Sequence, residues 1–152
     1  MFGFFKKEKK KKSPVPDYDA KLIKKFHKDH EKLVQHVTEI KKAVETNRPD
    51  KAKQGLKQLK MEMLGHFMEE DIKLYWYLKD RYKDSPDTIE TIKMFEESIK
   101  KIQKEVVAFI DHYARDDIKF DMVFDKEFSG IIDALSTRIA TEESSLYTLY
   151  VK

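Results

Sequence analysis

The sequence predicts an all-α protein, an up-down-up-down antiparallel four-helix bundle. Its 152 residues include only four Gly and four Pro, and 39% are charged, a composition that suits long solvated helices better than a sheet. Apolar residues recur at steps of three and four along four separate stretches, which is the spacing of one buried helix face. The connections between these stretches are short, so neighbouring helices should run antiparallel. The length is that of one ordinary domain.

The N-terminal residues differ in charge from the rest. Residues 1–12 contain six Lys and one Glu, a net charge of +5, and the whole chain carries +3, so the remainder carries −2. We interpret residues 1–16 as a flexible basic tail ahead of a bundle formed by residues 17–152. Phe2, Phe4 and Phe5 precede the lysines, which favours weak contact with an anionic membrane surface; the alternative is a solubilising tail. The slightly acidic remainder argues against nucleic-acid binding.

The first helix is predicted near residues 18–46, with Asp17 or Asp19 as its N-terminal cap. One of its faces is apolar except for a single histidine, His30. That face consists of Ile23, Phe26, His30, Leu33, Val37, Ile40 and Val44.

The second helix is predicted near residues 50–82, with Pro49 in its first turn. Its buried face contains an imidazole and a carboxylate, His66 and Glu70, between apolar residues. Burying polar groups in such a row costs free energy unless they have a partner. At functional sites that partner is often a ligand or a metal. Gly65 is expected to permit close packing beside His66. The face consists of Ala52, Leu56, Leu59, Met63, His66, Glu70, Leu74 and Tyr77.

The third and fourth helices are predicted near residues 86–114 and 121–150. Ser85 and Pro86 mark the start of the third helix, whose buried face carries no residue of a metal-ligand type. The fourth helix places Arg138 and Glu142 on its buried face.

A stretch of the second helix is repeated in the fourth. Residues 135–147 align with residues 63–75, so that Glu142 matches Glu70 and a Leu-Tyr pair follows at the same distance in both. The two copies differ in kind at one buried position, where Arg138 stands in place of His66.

The polar residues on the buried faces should meet in one layer. His30 and His66 are equidistant from residue 48, within the turn that joins their helices, so they should lie at the same level. Reflection across the other turns brings the polar residues of the fourth helix to this level too. The candidate metal ligands are therefore His30, His66, Glu70 and Glu142, a nitrogen–oxygen set that suits iron, manganese or zinc.

Two further residues bear on this layer. His27 lies one turn before His30 and is a candidate for an additional ligand. Arg138 is a competitor, because one guanidinium can bind two carboxylates and leave the histidines as neutral hydrogen-bond partners. The residues alone leave a metal site and an arginine–carboxylate cluster both open.

The sequence also argues against several classes of protein. It contains no Cys, so disulfides and thiolate metal sites are excluded. There is no Gly-rich phosphate loop, nucleophile elbow or Ser/His/Asp arrangement, so we expect binding or sensing rather than an enzyme. No apolar run suggests a signal peptide or a membrane span, so we expect a cytoplasmic protein.

The ligand candidates resemble those of a known family. Asp29-His30, then His66-x3-Glu70 followed by Leu74-Tyr75, then Glu142 followed by Leu146-Tyr147, are similar to the hemerythrin-like, HHE cation-binding domain. The resemblance covers nearly all of residues 19–150. It implies a helical bundle that typically holds two irons through histidines and bridging carboxylates, and that binds oxygen or nitric oxide or stores or senses iron.

The chain departs from that family at two positions, since Arg138 replaces a histidine and the third helix offers none. These departures predict a depleted iron centre, at most mononuclear. The Leu135-x2-Arg138-x3-Glu142 element and Gly65-His66-Phe67 also resemble the Rsd/AlgQ regulators. That resemblance implies the alternative function, a metal-free regulator whose protein partner is the RNA polymerase sigma factor.

Overall fold

The computed structural model describes residues 15–152 as four helices joined by short connections. Helix α1 is Leu22–Glu45; α2 is Pro49–Glu69 continued by a π-helical turn, Glu70–Tyr75, and by Trp76–Arg81; α3 is Pro86–Tyr113; α4 is Met122–Thr141 continued by a π-helical turn, Glu142–Leu146, and by a 3₁₀ turn, Tyr147–Leu149. No strand occurs among these residues, and the predicted all-α four-helix bundle is confirmed. Nor does any helix in residues 15–152 have the length and apolar content needed to cross a membrane. The predicted tail lies outside the described residues, apart from Val15 and Pro16.

Neighbouring helices run antiparallel, as their contacts show. Near the loop between α1 and α2, Gly55 packs against Ile40, and farther from that loop His30 meets His66. The other neighbours follow the same pattern, with Lys60–Asp111 and Lys79–Glu96 between α2 and α3, and Tyr113–Glu127 and Ser98–Arg138 between α3 and α4.

The start of α1 differs from the prediction. The helix begins at Leu22, and no side chain caps it, so the predicted capping role of Asp17 or Asp19 is wrong. The Asp19 carboxylate instead accepts a hydrogen bond from the backbone N–H of Lys21. The backbone N–H of Asp19 donates to the hydroxyl of Tyr150, 2.7 Å away. This segment is therefore a turn fastened to the C-terminal end of the bundle.

The other helix starts are closer to expectation. Pro49 and Pro86 occupy the first turns of α2 and α3, where their missing N–H is no loss. Ser85 precedes α3 as predicted, but its side chain makes no capping hydrogen bond. An unpredicted cap begins α4, where the Asp121 carboxylate accepts from the N–H of Phe124 at 3.0 Å.

Close helix packing occurs at a different glycine from the one expected. A Cβ on Gly65 would meet nothing within 4 Å, so the expectation of close packing beside His66 is wrong. A Cβ on Gly55 would lie 2.8 Å from Cγ1 of the buried Ile40. The backbone of α2 therefore lies close to α1 at Gly55, near the loop that joins the two helices.

The apolar core is divided into two clusters. The larger one surrounds the ends of the helices near the α1–α2 and α3–α4 loops and includes Leu33, Ile40, Leu56, Leu59, Met63, Val106, Phe109, Phe124, Phe128 and Leu135. The smaller one lies at the opposite end and includes Leu22, Phe26, Leu74, Tyr75, Leu78, Ile92, Leu146, Tyr147 and Tyr150. Along the chain, His30, Glu70 and Glu142 lie between members of the two clusters, and His66 lies beside Phe67 of the larger cluster.

A buried lysine closes the end of the larger cluster. Lys53 is 7% exposed, and its Nζ donates to the carbonyls of Tyr113, Arg115 and Ile118 at 2.9, 2.5 and 2.6 Å. It also lies 4.7 Å from the ring centroid of Phe120. These carbonyls belong to the end of α3 and the connection to α4, so one ammonium joins α2 to both.

Candidate metal centre

Four polar side chains meet between the two apolar clusters. His30, His66, Glu70 and Glu142 are buried, with side-chain exposures of 4, 1, 0 and 1%. Each offers one ligand atom, and these atoms all lie within 4.8 Å of one another. The structure thus brings together the four residues that the sequence predicted as ligands, and the two histidines lie at the same level.

Both carboxylates stand at the start of a π-helical turn. Glu70 begins Glu70–Tyr75 and Glu142 begins Glu142–Leu146. Hydrogen bonds in a π-helix join residues five apart, and in α4 this spacing brings the hydroxyl of Tyr147 to 3.3 Å from Oε1 of Glu142. Isolated π-helical turns inside α-helices are frequent at functional sites. The two turns occupy equivalent points of the internal repeat, although periodicity alone did not predict them.

Carboxylates outside the layer orient the two imidazoles. Nδ1 of His66 lies 2.9 Å from Oδ2 of Asp29, and Nδ1 of His30 lies 2.7 Å from Oε2 of Glu143. An ionised carboxylate can only accept, so each Nδ1 carries the hydrogen and donates it. Such partners fix the tautomer and the orientation of metal-binding histidines. Nε2 of each ring therefore points inward.

The two inward nitrogens lie only 3.1 Å apart. In neutral imidazoles with the hydrogen on Nδ1, both of these Nε2 atoms present lone pairs. Nε2 of His30 is also 3.2 Å from Oε1 of Glu142, and Nε2 of His66 is 3.3 Å from Oε2 of Glu70. Electron-rich atoms thus converge in a buried space, which requires a proton or a metal cation among them.

Each central carboxylate also has one oxygen that is available to bind a cation. Oε1 of Glu70 and Oε2 of Glu142 are buried and form no hydrogen bond with any of the described residues. Buried carboxylate oxygens without partners are costly. Coordination to a cation would satisfy them.

The pKa values show how protons satisfy the centre without a metal. Burial alone would lower the pKa of His66, but the hydrogen bond and charge of Glu70, with the help of Asp29, raise it to about 9. Burial likewise opposes protonation of His30, yet Glu142 and Glu143 raise its pKa. Burial raises the pKa of Glu142, and the charge of Glu70 adds to this effect. The metal-free centre therefore holds protons that a metal would displace.

The stability of the metal-free protein should consequently fall at alkaline pH. The pKa of His66 is raised in the folded state from 6.5 to about 9, so its contribution is complete below pH 6.5 and is lost as the pH rises through about 9. This contribution is about 3 kcal/mol. Denaturant titrations of chelator-treated protein at pH 6.5 and 9 should show the loss. A His66→Gln variant should show less of it, and His112→Gln, at an exposed site, should match the original chain; an unchanged loss in His66→Gln would contradict the assignment.

Arg138 does not occupy the centre. Its Nη2 donates to the hydroxyl of Ser98, and its guanidinium lies 5.2 Å from the ring centroid of Phe95. Within residues 15–152 it forms no ion pair with Glu70 or Glu142, which argues against the arginine–carboxylate cluster that the sequence left open as an alternative to a metal site. The aromatic ring and hydroxyl of α3 hold the guanidinium instead.

His27 is also outside the centre. Its side chain is 46% exposed, and Nδ1 lies 3.1 Å from Oε2 of Glu143, the carboxylate that orients His30. His27 therefore contacts an outer partner of the centre and is not one of the four converging residues, contrary to the hypothesis of an additional ligand.

Three residues around the centre were not predicted as functional. Asp29 precedes one predicted ligand and Glu143 follows another, and each reaches a histidine on a different helix. Tyr147 donates from its hydroxyl to Oε2 of Glu70 at 2.6 Å. The sequence carried a signal for each, namely the Asp29-His30 pair, the doubled Glu142-Glu143 and the repeated Leu-Tyr pair.

Comparison with known proteins gave one match. The family model of the hemerythrin HHE cation binding domain matches residues 21–150, a span that contains all four helices and every residue of the centre. No curated protein and no solved structure matched the chain. The resemblance to the Rsd/AlgQ regulators stays a prediction. The family match covers most of the chain and agrees with the buried His and Glu cluster, and the chain therefore belongs to the hemerythrin HHE cation-binding domain family.

Proposed function

We propose that this protein binds or senses iron at a mononuclear centre formed by His30, His66, Glu70 and Glu142. The observation that carries the proposal is the 3.1 Å approach of the two inward Nε2 atoms beside two buried carboxylates. A cation placed among these atoms would replace the protons that otherwise hold them together. The two carboxylates would balance the charge of a divalent ion.

Three of the distances between the candidate ligand atoms fit such an ion. Metal bonds to histidine nitrogen and carboxylate oxygen are about 2.0–2.2 Å long. Atoms on neighbouring vertices are then about 2.8–3.1 Å apart in an octahedral site and about 3.3–3.6 Å apart in a tetrahedral site. The Nε2–Nε2 and the two Nε2–oxygen distances of 3.1, 3.2 and 3.3 Å lie within the overall span of these values. The unpartnered carboxylate oxygens add further ligand capacity.

Arg138 supports a single metal rather than two. On its buried face α4 provides Arg138 rather than a further histidine, and the guanidinium lies beside Phe95 and Ser98 of α3. The charges of Arg138, Glu70 and Glu142 all act on Tyr75. A permanent positive charge that acts on the same region as the carboxylates would disfavour a second cation there.

Iron is favoured as the metal by the family, and the donor set is compatible with it. Imidazole and carboxylate suit iron, manganese and zinc, and the chain has no thiolate to select a softer ion. When bound, iron supplies a redox-active Lewis acid. The protein holds both histidines in the metal-binding tautomer through Asp29 and Glu143 and buries the centre, which supports binding or sensing rather than turnover.

Metal analysis tests this proposal. Protein purified without chelator is expected to contain close to one equivalent of iron per chain. Chelator-treated protein, titrated anaerobically with Fe(II), Mn(II) and Zn(II), should take up one equivalent and melt at a higher temperature, because a ligand that binds the folded state stabilises it. Two equivalents would contradict the mononuclear centre. No uptake and an unchanged melting temperature would contradict metal binding and favour the metal-free regulator.

A further inference from the structure

The hydroxyl of Tyr147 contacts three of the four candidate ligands. Its hydroxyl oxygen lies 2.6 Å from Oε2 of Glu70, 3.2 Å from Nε2 of His30 and 3.3 Å from Oε1 of Glu142. A hydroxyl has a single hydrogen to donate, and the 2.6 Å contact takes it. The phenol oxygen therefore lies among the same atoms that would bind the metal.

The surrounding structure holds the phenol in this position. Tyr147 is 4% exposed, and it directly follows the π-helical turn that begins at Glu142. Its ring lies parallel to that of His30, 13° between planes and 5.8 Å between centroids. Phe26 packs beside it, with the ring centroids 5.7 Å apart. The oxygen is thus positioned by backbone and packing, not by its hydrogen bonds alone.

The equivalent residue of the internal repeat provides a contrast. Tyr75 follows Glu70 at the same distance at which Tyr147 follows Glu142, and it is also buried. Its hydroxyl makes no hydrogen bond with the described residues, including the two histidines. Of these two buried phenols, only that of Tyr147 is hydrogen-bonded to candidate ligands.

We infer that Tyr147 is a fifth ligand of the metal, which it binds through its phenolate oxygen. This inference rests on the proposed function. The phenol proton leaves to solvent as the oxygen–metal bond forms, as ligand protons do when metals bind. With Glu70 and Glu142, the phenolate gives the centre three negative charges, which match Fe(III). We therefore expect the centre to prefer ferric iron to Zn(II), since the three negative charges and the hard oxygen donors both favour Fe(III).

Absorption spectroscopy with ferric iron tests the assignment. Chelator-treated protein is loaded with ferric citrate, freed of excess iron and analysed for iron content. A phenolate bound to Fe(III) produces a visible charge-transfer band and phenolate modes in the resonance Raman spectrum. Both signals are expected in the original chain and in Tyr75→Phe, and both should be absent from Tyr147→Phe. Tyr147→Phe should also weaken the binding of Fe(III) by more than about tenfold. Tenfold is about the smallest loss of metal affinity that usually follows when a residue that hydrogen-bonds to a ligand is mutated.

Binding of Zn(II) shows whether the Tyr147→Phe variant retains the rest of the centre. The affinity of the Tyr147→Phe variant for Zn(II) should change much less than its affinity for Fe(III). Stoichiometric iron without the phenolate signals would overturn the inference and leave the proposed function intact. Signals that persist in Tyr147→Phe but vanish in Tyr75→Phe would also overturn it. Failure of the original chain to bind any metal would overturn both.

Discussion

Replacing His66 with alanine is expected to abolish the stabilisation that a metal gives this protein. In the proposed centre, His66 supplies one of the two nitrogen ligands. Its side chain is 1% exposed, and its Nε2 contacts both His30 and Glu70. At a metal concentration about 100 times the dissociation constant, binding stabilises the folded state by about 2.7 kcal/mol. The variant should lose this increment entirely. Differential scanning calorimetry with and without the metal measures it.

Matched variants separate the loss of a ligand from a loss of folding. His27→Ala removes a nearby histidine of α1 that lies outside the four ligands, and it should keep the metal-dependent rise in melting temperature. Asp29→Asn leaves the ligands intact but disturbs the tautomer of His66, so metal affinity should fall about 10- to 100-fold. If His66→Ala folds poorly, His66→Gln gives the same comparison with a closer shape. A full metal-dependent rise in either His66 variant would refute its role as a ligand.

The largest loss of stability away from the centre is expected from Lys53→Met. The substitution keeps much of the apolar stem but removes the ammonium that three backbone carbonyls share. The contact with the Tyr113 carbonyl is buried, and the contacts with the carbonyls of Arg115 and Ile118 are partly buried. A buried carbonyl left without a partner costs about 1–3 kcal/mol, and we expect the free energy of unfolding to fall by about this amount, as measured by denaturant titration.

Lys57→Met is the control for this change. It lies one turn farther along the same helix on an exposed position, so its effect should stay within about 0.5 kcal/mol. Metal affinity should be nearly unchanged in Lys53→Met under conditions where the variant is folded, because Lys53 lies at the other end of the larger cluster. Equal stabilities for the two methionine variants would show that the carbonyls of Tyr113, Arg115 and Ile118 do not depend on Lys53.

The fold was predictable because its determinants are local and periodic. Apolar residues three and four apart specify a buried helix face, and Pro49 and Pro86 mark helix starts with little ambiguity. The start of α1 was less predictable, since the backbone N–H of Asp19 donates a hydrogen bond to the hydroxyl of Tyr150, at the other end of the sequence. The close approach at Gly55 depends on how α1 and α2 lie across each other. Spacing along one helix does not contain that information.

The buried cluster of polar residues was predictable for a related reason, since a histidine or glutamate in an apolar row needs compensation. The orientation of long side chains was not predictable. Arg138 occupies a buried-face position, yet its guanidinium reaches Ser98 and lies over Phe95 instead of joining the carboxylates. The π-helical turns at Glu70 and Glu142 likewise depend on hydrogen bonding that residue periodicity does not record.

The division of the core by the polar centre has a consequence for cooperativity. The smaller cluster joins the starts of α1 and α3 to the ends of α2 and α4, and the larger cluster holds the rest of the bundle. Regions that share few apolar contacts can open separately, with different protection from hydrogen exchange. A metal at the centre would link the two regions, because its ligands come from three helices at their boundary. Binding of the metal would then change how readily one end of the molecule unfolds locally, with no change of fold.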